Sequence, residues 1–305
     1  MDKIKQLPLE VANQIAAGEV VEGPASIIKE LVENSVDAGA NKVSIVVENS
    51  GKTFISVTDN GRGVEKNQLP LLIQRHCTSK LRLISDLHII SSMGFRGEAL
   101  ASISSVSRFR VRTKIASDDH GWQLACEGDS SEDVAITPYQ QPLSVGTTIE
   151  VRDIFFRVPA RQKFLSSDLT EMRKIKDVVK RMILAHPAVT FILSSGEKLL
   201  MQAQACETLS ESRDRLKVVF GQDFIDSAFF IDQSAPWGRL TGWCAWPSFN
   251  RRYADMQVFL LNHRPIRDKK LSFAVKRAYN DVMLPGRHPT FCLYLQFDPE
   301  GVDIN

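Results

Sequence analysis

The sequence has few cysteines and no long apolar run, and each shortage excludes a class of protein. The five cysteines stand far apart and are odd in number, so neither a disulfide framework nor a Cys-x-x-Cys metal site is indicated. No run of about 18 apolar residues occurs, and the first ten residues contain no apolar core, which argues against a membrane span and a signal peptide. We therefore expect a cytoplasmic protein with no membrane partner.

Several familiar catalytic signatures are also missing. The sequence contains no G-x-x-x-x-G-K-[ST] phosphate loop, no G-x-S-x-G elbow and no pair of histidines at zinc spacing. The glycine-rich turn at 59–63 lacks the third glycine and the strand–helix–strand pattern of a dinucleotide fingerprint. The net charge is only +2, so a nucleic-acid partner requires an uneven distribution of charge.

A length of 305 residues favours two domains. The polar, weakly patterned stretch at 206–212 is the predicted boundary, so we predict domains over 1–205 and 206–305. In the first, helix-forming residues at 24–38 precede strand patterns at 42–48 and 54–59, and we expect a mixed sheet with helices on one side.

The helix predicted over 24–38 carries a carboxylate and an amide one turn apart. Glu30 and Asn34 lie on its polar face, so both side chains can reach one pocket. A carboxylate that activates water beside an amide oxygen that binds Mg²⁺ is a minimal arrangement for phosphoryl chemistry. The alternative is the solvated polar face of an ordinary amphipathic helix.

The second predicted strand ends in a turn that suits a ligand contact. Asp59 can accept a hydrogen bond from an exocyclic amine such as that of adenine, and Gly61 and Gly63 allow close approach of the backbone. The alternative is a glycine-rich hairpin turn with a local aspartate cap.

A long irregular segment at 70–95 is typical of a functional lid. It contains the Thr-Ser-Lys run at 78–80, and it leads into Gly-Phe-Arg-Gly at 94–97 immediately before a helix. Backbone N–H groups at a helix start favour phosphate, although the same residues fit a simple loop-to-helix cap.

Positive charge is concentrated in two stretches. Residues 157–181 contain eight Lys or Arg against three Asp or Glu, and residues 251–277 contain eight against two. If both stretches face one groove, they would bind a phosphate backbone without sequence preference. Ordinary solvated helix faces are the alternative.

Four motifs in order carry a resemblance to a known family. They are NQIAAGEVVEGPASIIKELVENSVDAGA, DNGRGV, RHCTSK and GFRGEALASISSV. Together they resemble the DNA mismatch-repair MutL family, within the ATPase superfamily of gyrase, heat-shock chaperones, histidine kinases and MutL (GHKL). The likeness spans essentially the whole chain.

The resemblance implies a fold of the α/β class. We expect a two-layer mixed-sheet GHKL ATP-binding domain over 1–205, followed over 206–305 by a smaller β-α-β transducer domain that resembles a ribosomal protein and is truncated at its C-terminal end. Residues 302–305 would begin a strand that continues in the family to a lysine at the γ-phosphate, so we expect weak or impaired hydrolysis by this chain.

By matching position, the resemblance also implies residue roles. Glu30 would be the general base, Asn34 the Mg²⁺ ligand, and Asp59 the contact to the adenine amine, with Gly63 beside the base. The remaining ATP-binding positions would be Ala38, Thr78, Ser79, Lys80, Gly94, Phe95, Arg96, Gly97, Ala99, Leu100 and Thr147. The DNA-binding positions would be Arg161, Lys163, Arg264 and Arg267.

The implied activity is that of a weak, Mg²⁺-dependent ATPase that acts as a switch in mismatch repair. Nucleotide would order the lid, bring two copies together as a homodimer, and close a basic groove over DNA, with a mismatch-recognition protein of the MutS type as partner. The alternative is a DNA clamp in which nucleotide is a structural ligand only. A histidine-type kinase is disfavoured because no helical phosphoacceptor module occurs in the sequence.

Overall fold

The structure is a computed structural model, and it describes residues 18, 20–78, 97–127, 134–207, 209–236 and 238–297. The described residues divide into two compact units. Unit 1 lies within Met1–Lys180 and Val189–Ala205, and unit 2 lies within Arg181–Ala188 and Cys206–Asn305. Each unit contains a mixed sheet with helices, which confirms the predicted α/β class.

Unit 1 is built around eight strands. These are β1 (Lys42–Glu48), β2 (Phe54–Asp59), β3 (Arg108–Lys114), β4 (Gly121–Glu127), β5 (Ala135–Tyr139), β6 (Gly146–Arg152), β7 (Thr190–Ser195) and β8 (Lys198–Ala203). The helices are α1 (Pro24–Asp37), α2 (Ala99–Ser105), α3 (Pro159–Lys163) and α4 (Asp168–Ala185), whose last residues belong to unit 2, with 3-10 helices at Asn49–Gly51 and Lys66–Ile73.

The strands of unit 1 lie in the order β5-β4-β3-β6-β2-β1-β7-β8, and every pair is antiparallel except β1 with β7. Their register aligns apolar residues in rows across the sheet. One row joins Ile45, Val57, Ile149 and Val111, all of them buried. Since side chains alternate between the two faces of a strand, these rows define the inner, helix-covered face.

Helix α1 forms where the sequence predicts it. Pro24 suits the first turn, and the helix ends before Gly39, whose φ of 78° is readily adopted by glycine. Ile28 and Val32 are fully buried. The helix packs against β1 and β2, so its apolar side completes the core of unit 1.

Unit 2 contains a five-stranded sheet in the order β12-β11-β13-β10-β9. Its strands are β9 (Ala228–Ala235), β10 (Gly238–Ala245), β11 (Gln257–Leu261), β12 (Arg264–Ile266) and β13 (Phe291–Gln296), and its own helices are α5 (Leu209–Phe220), α6 (Gln222–Ser227) and α7 (Lys269–Ala278). Only β11 with β13 is parallel. Phe259, Phe291 and Leu293 form its core, and α7 packs against this core through Leu271 and Val275.

The connection between β11 and β12 is a two-residue turn at Asn262 and His263, with φ values of 46° and 67°. Two positive φ angles fit the twist of a tight hairpin. The Asn262 side chain ties this turn to the end of β13, because Nδ2 donates to the Phe297 carbonyl at 3.1 Å and Oδ1 accepts from the Phe297 N–H at 3.0 Å. His263 thus adopts a positive φ as the second residue of the turn.

The helix predicted at 24–38 and the strands predicted at 42–48 and 54–59 agree with α1, β1 and β2 to within one residue. The prediction of an unpatterned stretch at 206–212 is wrong from Leu209 onward, because α5 begins there. The sequence patterns also missed α3, α6, β5, β9 and the short β12. Within the described ranges, no helix combines the length and apolar character needed to cross a bilayer.

Candidate functional site

The inner face of the unit 1 sheet turns polar at one end. Next to the apolar row described above, two positions further along each strand, the register aligns a polar row of Asp59, Thr147 and Thr113. Thr113 and Thr147 are buried, and their hydroxyl oxygens lie 3.1 Å apart. Because side chains on one face share period two, residues that follow Val57 and Val111 by two positions must point to the same side. This row forms a polar floor beside α1.

Asp59 is the carboxylate of this polar row, and hydrogen bonds restrain it. Its Oδ1 accepts from the Gly61 N–H at 2.9 Å and from the Thr147 N–H at 3.3 Å, and its Oδ2 accepts from the Ser35 hydroxyl at 2.9 Å. Burial raises the pKa of Asp59, and these hydrogen bonds only partly oppose the shift. The side chain is therefore held in one orientation despite the cost of burying its charge.

The hydrogen-bonding capacity of Asp59 fits an amine ligand. A carboxylate offers about four acceptor positions, and the three contacts above leave room for one more donor. An exocyclic amine of a nucleobase is such a donor. The environment of Asp59 therefore suits the adenine contact predicted for it.

The turn after Asp59 requires glycine for steric reasons. Gly63 has a φ of 77°, and a Cβ at this position would lie 2.3 Å from the Lys114 carbonyl oxygen. A Cβ on Gly61 would lie 2.9 Å from the carbonyl oxygen of Ala38, which accepts a hydrogen bond from the Arg62 N–H. These contacts pack the turn against β3 and the end of α1, so Ala38, Gly63 and Asp59 lie in one region.

The polar face of α1 borders the same region. Glu30 has a side chain that is 24% exposed, and Asn34, one turn later, is half-buried. Glu33, on the same side of the helix, has a side chain that is only 8% exposed. Burial raises the pKa of Glu33, although the ammonium group of Lys29 opposes the shift.

The donor atoms available here suit Mg²⁺ only as part of a nucleotide complex. Among the residues that the structure describes, no cluster of three or more His, Cys, Asp or Glu could hold a metal ion. Mg²⁺ usually retains waters and binds through one or two protein oxygens together with phosphates. The amide oxygen of Asn34 fits that pattern, so the residues present are compatible with the predicted ion.

The described residues on either side of 79–96 lie next to each other. His76 Nδ1 is 3.2 Å from Glu98 Oε1, and a Cβ on Gly97 would lie 2.7 Å from the Cys77 carbonyl oxygen. Thr78 therefore lies near the start of α2, whose first two residues are Ala99 and Leu100. The other predicted phosphate contacts fall outside the described residues: Ser79, Lys80, Gly94, Phe95 and Arg96.

The two DNA-binding candidates of unit 1 have different environments. Arg161 Nη2 donates to the Val21 carbonyl at 2.6 Å and to the Gly18 carbonyl at 3.3 Å, and its guanidinium lies over the Phe155 ring. Lys163 is exposed. Lys163 can reach a phosphate directly, whereas Arg161 binds the chain's own backbone.

The two candidates in unit 2 precede α7 in the chain. Arg264 is half-buried at the start of β12, and Arg267 is exposed just before the helix. Asp268 caps α7 by accepting the Leu271 N–H at 2.7 Å. Arg267 therefore has a defined backbone position and a solvated side chain.

Comparison with protein families gives two matches. Residues 22–150 match the model of histidine kinase-, DNA gyrase B- and HSP90-like ATPases, and residues 216–305 match that of the DNA mismatch repair protein C-terminal domain. The whole chain is 48% identical to the DNA mismatch repair protein MutL of Cellvibrio japonicus and covers 48% of it. The chain belongs to the MutL family. The resemblance inferred from the four motifs is thereby confirmed.

Other MutL relatives agree. The MutL protein of Mannheimia succiniciproducens is 45% identical over 98% of this chain, which covers 47% of that protein. The chain thus spans about half the length of the curated relatives it matches. Among solved structures, the Aquifex aeolicus MutL ATPase domain complexed with ADP has a TM-score of 0.68 and 27% identity, covering 92% of this chain and 94% of that one. The N-terminal domain of a DNA repair protein, with 24% identity and a TM-score of 0.78, supports the fold alone.

Two residues of the candidate site were missed by the sequence analysis. Ser35 donates to Asp59, and the Thr113 hydroxyl donates to the Gly146 carbonyl at 3.0 Å and accepts from the Val64 N–H at 2.9 Å. A signal for Thr113 existed, since it follows Phe109 and Val111 at period two. Ser35 had none, because its contact is between elements.

Proposed function

We propose that this MutL-family chain binds and slowly hydrolyses ATP in unit 1. The observation that carries the proposal is the half-buried carboxylate of Asp59 at the polar end of the sheet. It is held by three hydrogen bonds, one of them from Ser35 of the helix that carries Glu30 and Asn34. The ADP complex of the Aquifex aeolicus relative supports the same ligand class. The cofactor set would be ATP with Mg²⁺.

Each residue has a separate task in this proposal. Asp59 accepts the adenine amine, and Gly63 lets the base approach the turn. Glu30, which remains accessible to water, takes a proton from the attacking water. Asn34 would hold Mg²⁺, which when bound neutralises negative charge on the phosphates.

We further propose that the nucleotide state controls larger changes. The segment 70–95 would close over the phosphates together with the residues at 97–100, and closure would favour pairing of two copies. In the full-length protein this switch would couple mismatch recognition by a MutS-type partner to downstream repair. Its location would be the bacterial cytosol, near the nucleoid.

DNA binding belongs to the same proposal. Lys163, Arg264 and Arg267 would contact phosphates without reading the base sequence. Arg161 would instead hold α3 in place, because its guanidinium already donates to the backbone carbonyls of Gly18 and Val21. We keep 1–205 as the ATP-binding domain and 206–305 as the transducer domain.

The deciding experiment replaces Glu30 with alanine. General-base catalysis typically contributes about 100-fold or more to rate, so Glu30→Ala should lower ATP turnover by at least about that factor while the nucleotide Kd changes little. Turnover is measured by phosphate release and binding by calorimetry. Chelation of Mg²⁺ should also abolish turnover.

The matched control is Glu48→Ala, which removes an exposed carboxylate from the far end of β1. It should leave both turnover and binding unchanged. Unchanged turnover in Glu30→Ala would disprove the catalytic role and leave the alternative of a clamp that nucleotide stabilises. In that case ADP and a non-hydrolysable ATP analogue should give the same oligomeric state by light scattering.

A further inference from the structure

Three charged residues of α1 form a compact cluster next to the proposed general base. The Lys29 ammonium nitrogen lies 3.2 Å from Glu30 Oε1 and 3.2 Å from both carboxylate oxygens of Glu33. Their burial differs strongly: the side chains of Lys29 and Glu30 are 48% and 24% exposed, and that of Glu33 only 8%. The single ammonium group therefore joins a buried carboxylate to an accessible one.

Glu33 determines where Lys29 lies. A buried carboxylate requires a partner for its charge, whereas an exposed one is solvated by water. Burial disfavours the charged form of Lys29, but the two carboxylates outweigh this effect and its pKa lies above the ordinary value. The ion pair with the buried Glu33 thus restrains the Lys29 side chain, although Lys29 is half exposed.

Helix geometry shows what this anchoring does to Glu30. At about 100° per residue, Glu33 projects between Lys29 and Glu30, and Asn34 projects on the other side of Glu30. The Lys29–Glu33 pair therefore borders one side of the Glu30 carboxylate and Asn34 borders the other. Neighbouring residues on a helix diverge, so contact between Lys29 and Glu30 requires the lysine to reach across the position of Glu33.

We propose that Lys29, anchored by the buried Glu33, is a positioning residue that holds one oxygen of Glu30 so that the other faces the attacking water. The ion pair engages Oε1, and we assign Oε2 as the proton acceptor. A carboxylate without this restraint would sample several rotamers and face the water only part of the time. This inference rests on the proposed ATP hydrolysis with Glu30 as base.

The test compares four variants with the wild-type chain. Lys29→Met should lower kcat by about tenfold while KM and the nucleotide Kd stay within about twofold, since misplacing a catalytic group mainly affects the chemical step. Lys29→Arg, which retains the charge and the reach, should recover most of kcat. Lys29→Met should also lower the melting temperature of the nucleotide-free protein, because Glu33 then has lost this ion pair.

The third variant separates positioning from folding. In Lys29→Met/Glu33→Met neither the cation nor the buried carboxylate remains, so the melting temperature should return toward that of the wild type while kcat stays low. The fourth, Lys174→Met, is a matched control: Lys174 is 50% exposed and pairs at 2.9 Å with Glu171, whose side chain is 2% exposed. It should lower stability in the same way but leave kcat unchanged.

Several outcomes would overturn the proposal. These are an unchanged kcat in Lys29→Met, a loss of kcat matched by an equal weakening of nucleotide binding, or a kcat restored together with stability in the double variant. If Lys29→Met is too unstable to purify, the double variant decides alone. Wild-type turnover in Lys29→Met with strong loss in Glu30→Ala would reject only the role of Lys29, whereas full turnover in Glu30→Ala would reject the proposed function itself.

Discussion

Helices α1 and α7 are both amphipathic, yet they treat their polar side chains differently. Helix α1 is buried along one side and carries even a glutamate, Glu33, into the protein. Helix α7 has no fully buried residue, contacts the core of unit 2 through Leu271 and Val275, and exposes 64% of Phe273. One helix belongs to a site of fixed geometry, and the other presents charge to solvent.

The difference fits the two roles proposed for these surfaces, hydrolysis at α1 and DNA binding near α7. General-base chemistry needs atoms held to within a fraction of an ångström, and burial of polar groups with partners supplies that rigidity at a cost in stability. Attraction of a phosphate backbone acts over several ångströms, so solvated lysines and arginines suffice. Rigid polar burial around Asp59 and solvated charge around α7 are therefore two solutions to two problems.

The largest expected effect tests the packing side of the comparison. Ile28→Ala deletes a side chain with no exposed surface and should lower the free energy of unfolding by about 2–5 kcal/mol. Phe273→Ala removes a larger but exposed side chain from α7 and should change stability by less than about 0.5 kcal/mol. Urea unfolding of both variants measures the difference. Equal costs would contradict the contrast between the helices.

An intermediate effect is expected at Asp59. Asp59→Asn keeps acceptors for the Gly61 and Thr147 N–H groups but loses the charge-assisted contact to an adenine amine, so the ATP Kd should rise by about 10- to 100-fold. The same variant should be more stable than the wild type at neutral pH, because burial makes the ionised Asp59 carboxylate costly. Calorimetry and thermal melts measure both.

The pH dependence gives this prediction its sign. Burial raises the pKa of Asp59 in the folded state, so the folded chain retains this proton to higher pH than the unfolded chain does. The contribution of Asp59 to stability is fully present below its pKa in the unfolded chain. It is lost as the pH rises through its higher pKa in the folded chain. The advantage of Asp59→Asn should therefore be largest at neutral pH and should vanish in acid. A gain that grows on acidification would contradict the assignment.

The smallest expected effect tests the electrostatic side. If Arg267 and Lys163 each contact one phosphate of double-stranded DNA, replacing either with alanine should reduce the slope of log K against log[salt] by about 0.9. ATP binding should not change. Fluorescence anisotropy over a salt series measures the slope, and Lys198→Ala, an exposed lysine at the start of β8, is the control. An unchanged slope would remove that residue from the DNA contacts.

Much of unit 1 could be predicted because its signals are local. Alternation along β2 and the 3.6-residue period of α1 predicted both elements to within one residue. Unit 2 was harder, since β9 and β12 are partly exposed or very short and carry weak patterns. Helix α5 was missed because most residues of its first turns are polar and give a weak apolar pattern.

The sequence by itself determined which residues could serve the candidate site: a carboxylate and an amide one turn apart, an aspartate before a glycine turn, and two basic stretches. Only the tertiary structure decided how they are held. Strand register brought Thr147 and Thr113 beside Asp59, and packing of α1 on the sheet aligned Ser35 with Asp59 and buried Glu33 under Lys29. Periodicity specifies which face a side chain occupies, but its partners across the core depend on register and packing, which residues distant in sequence determine together.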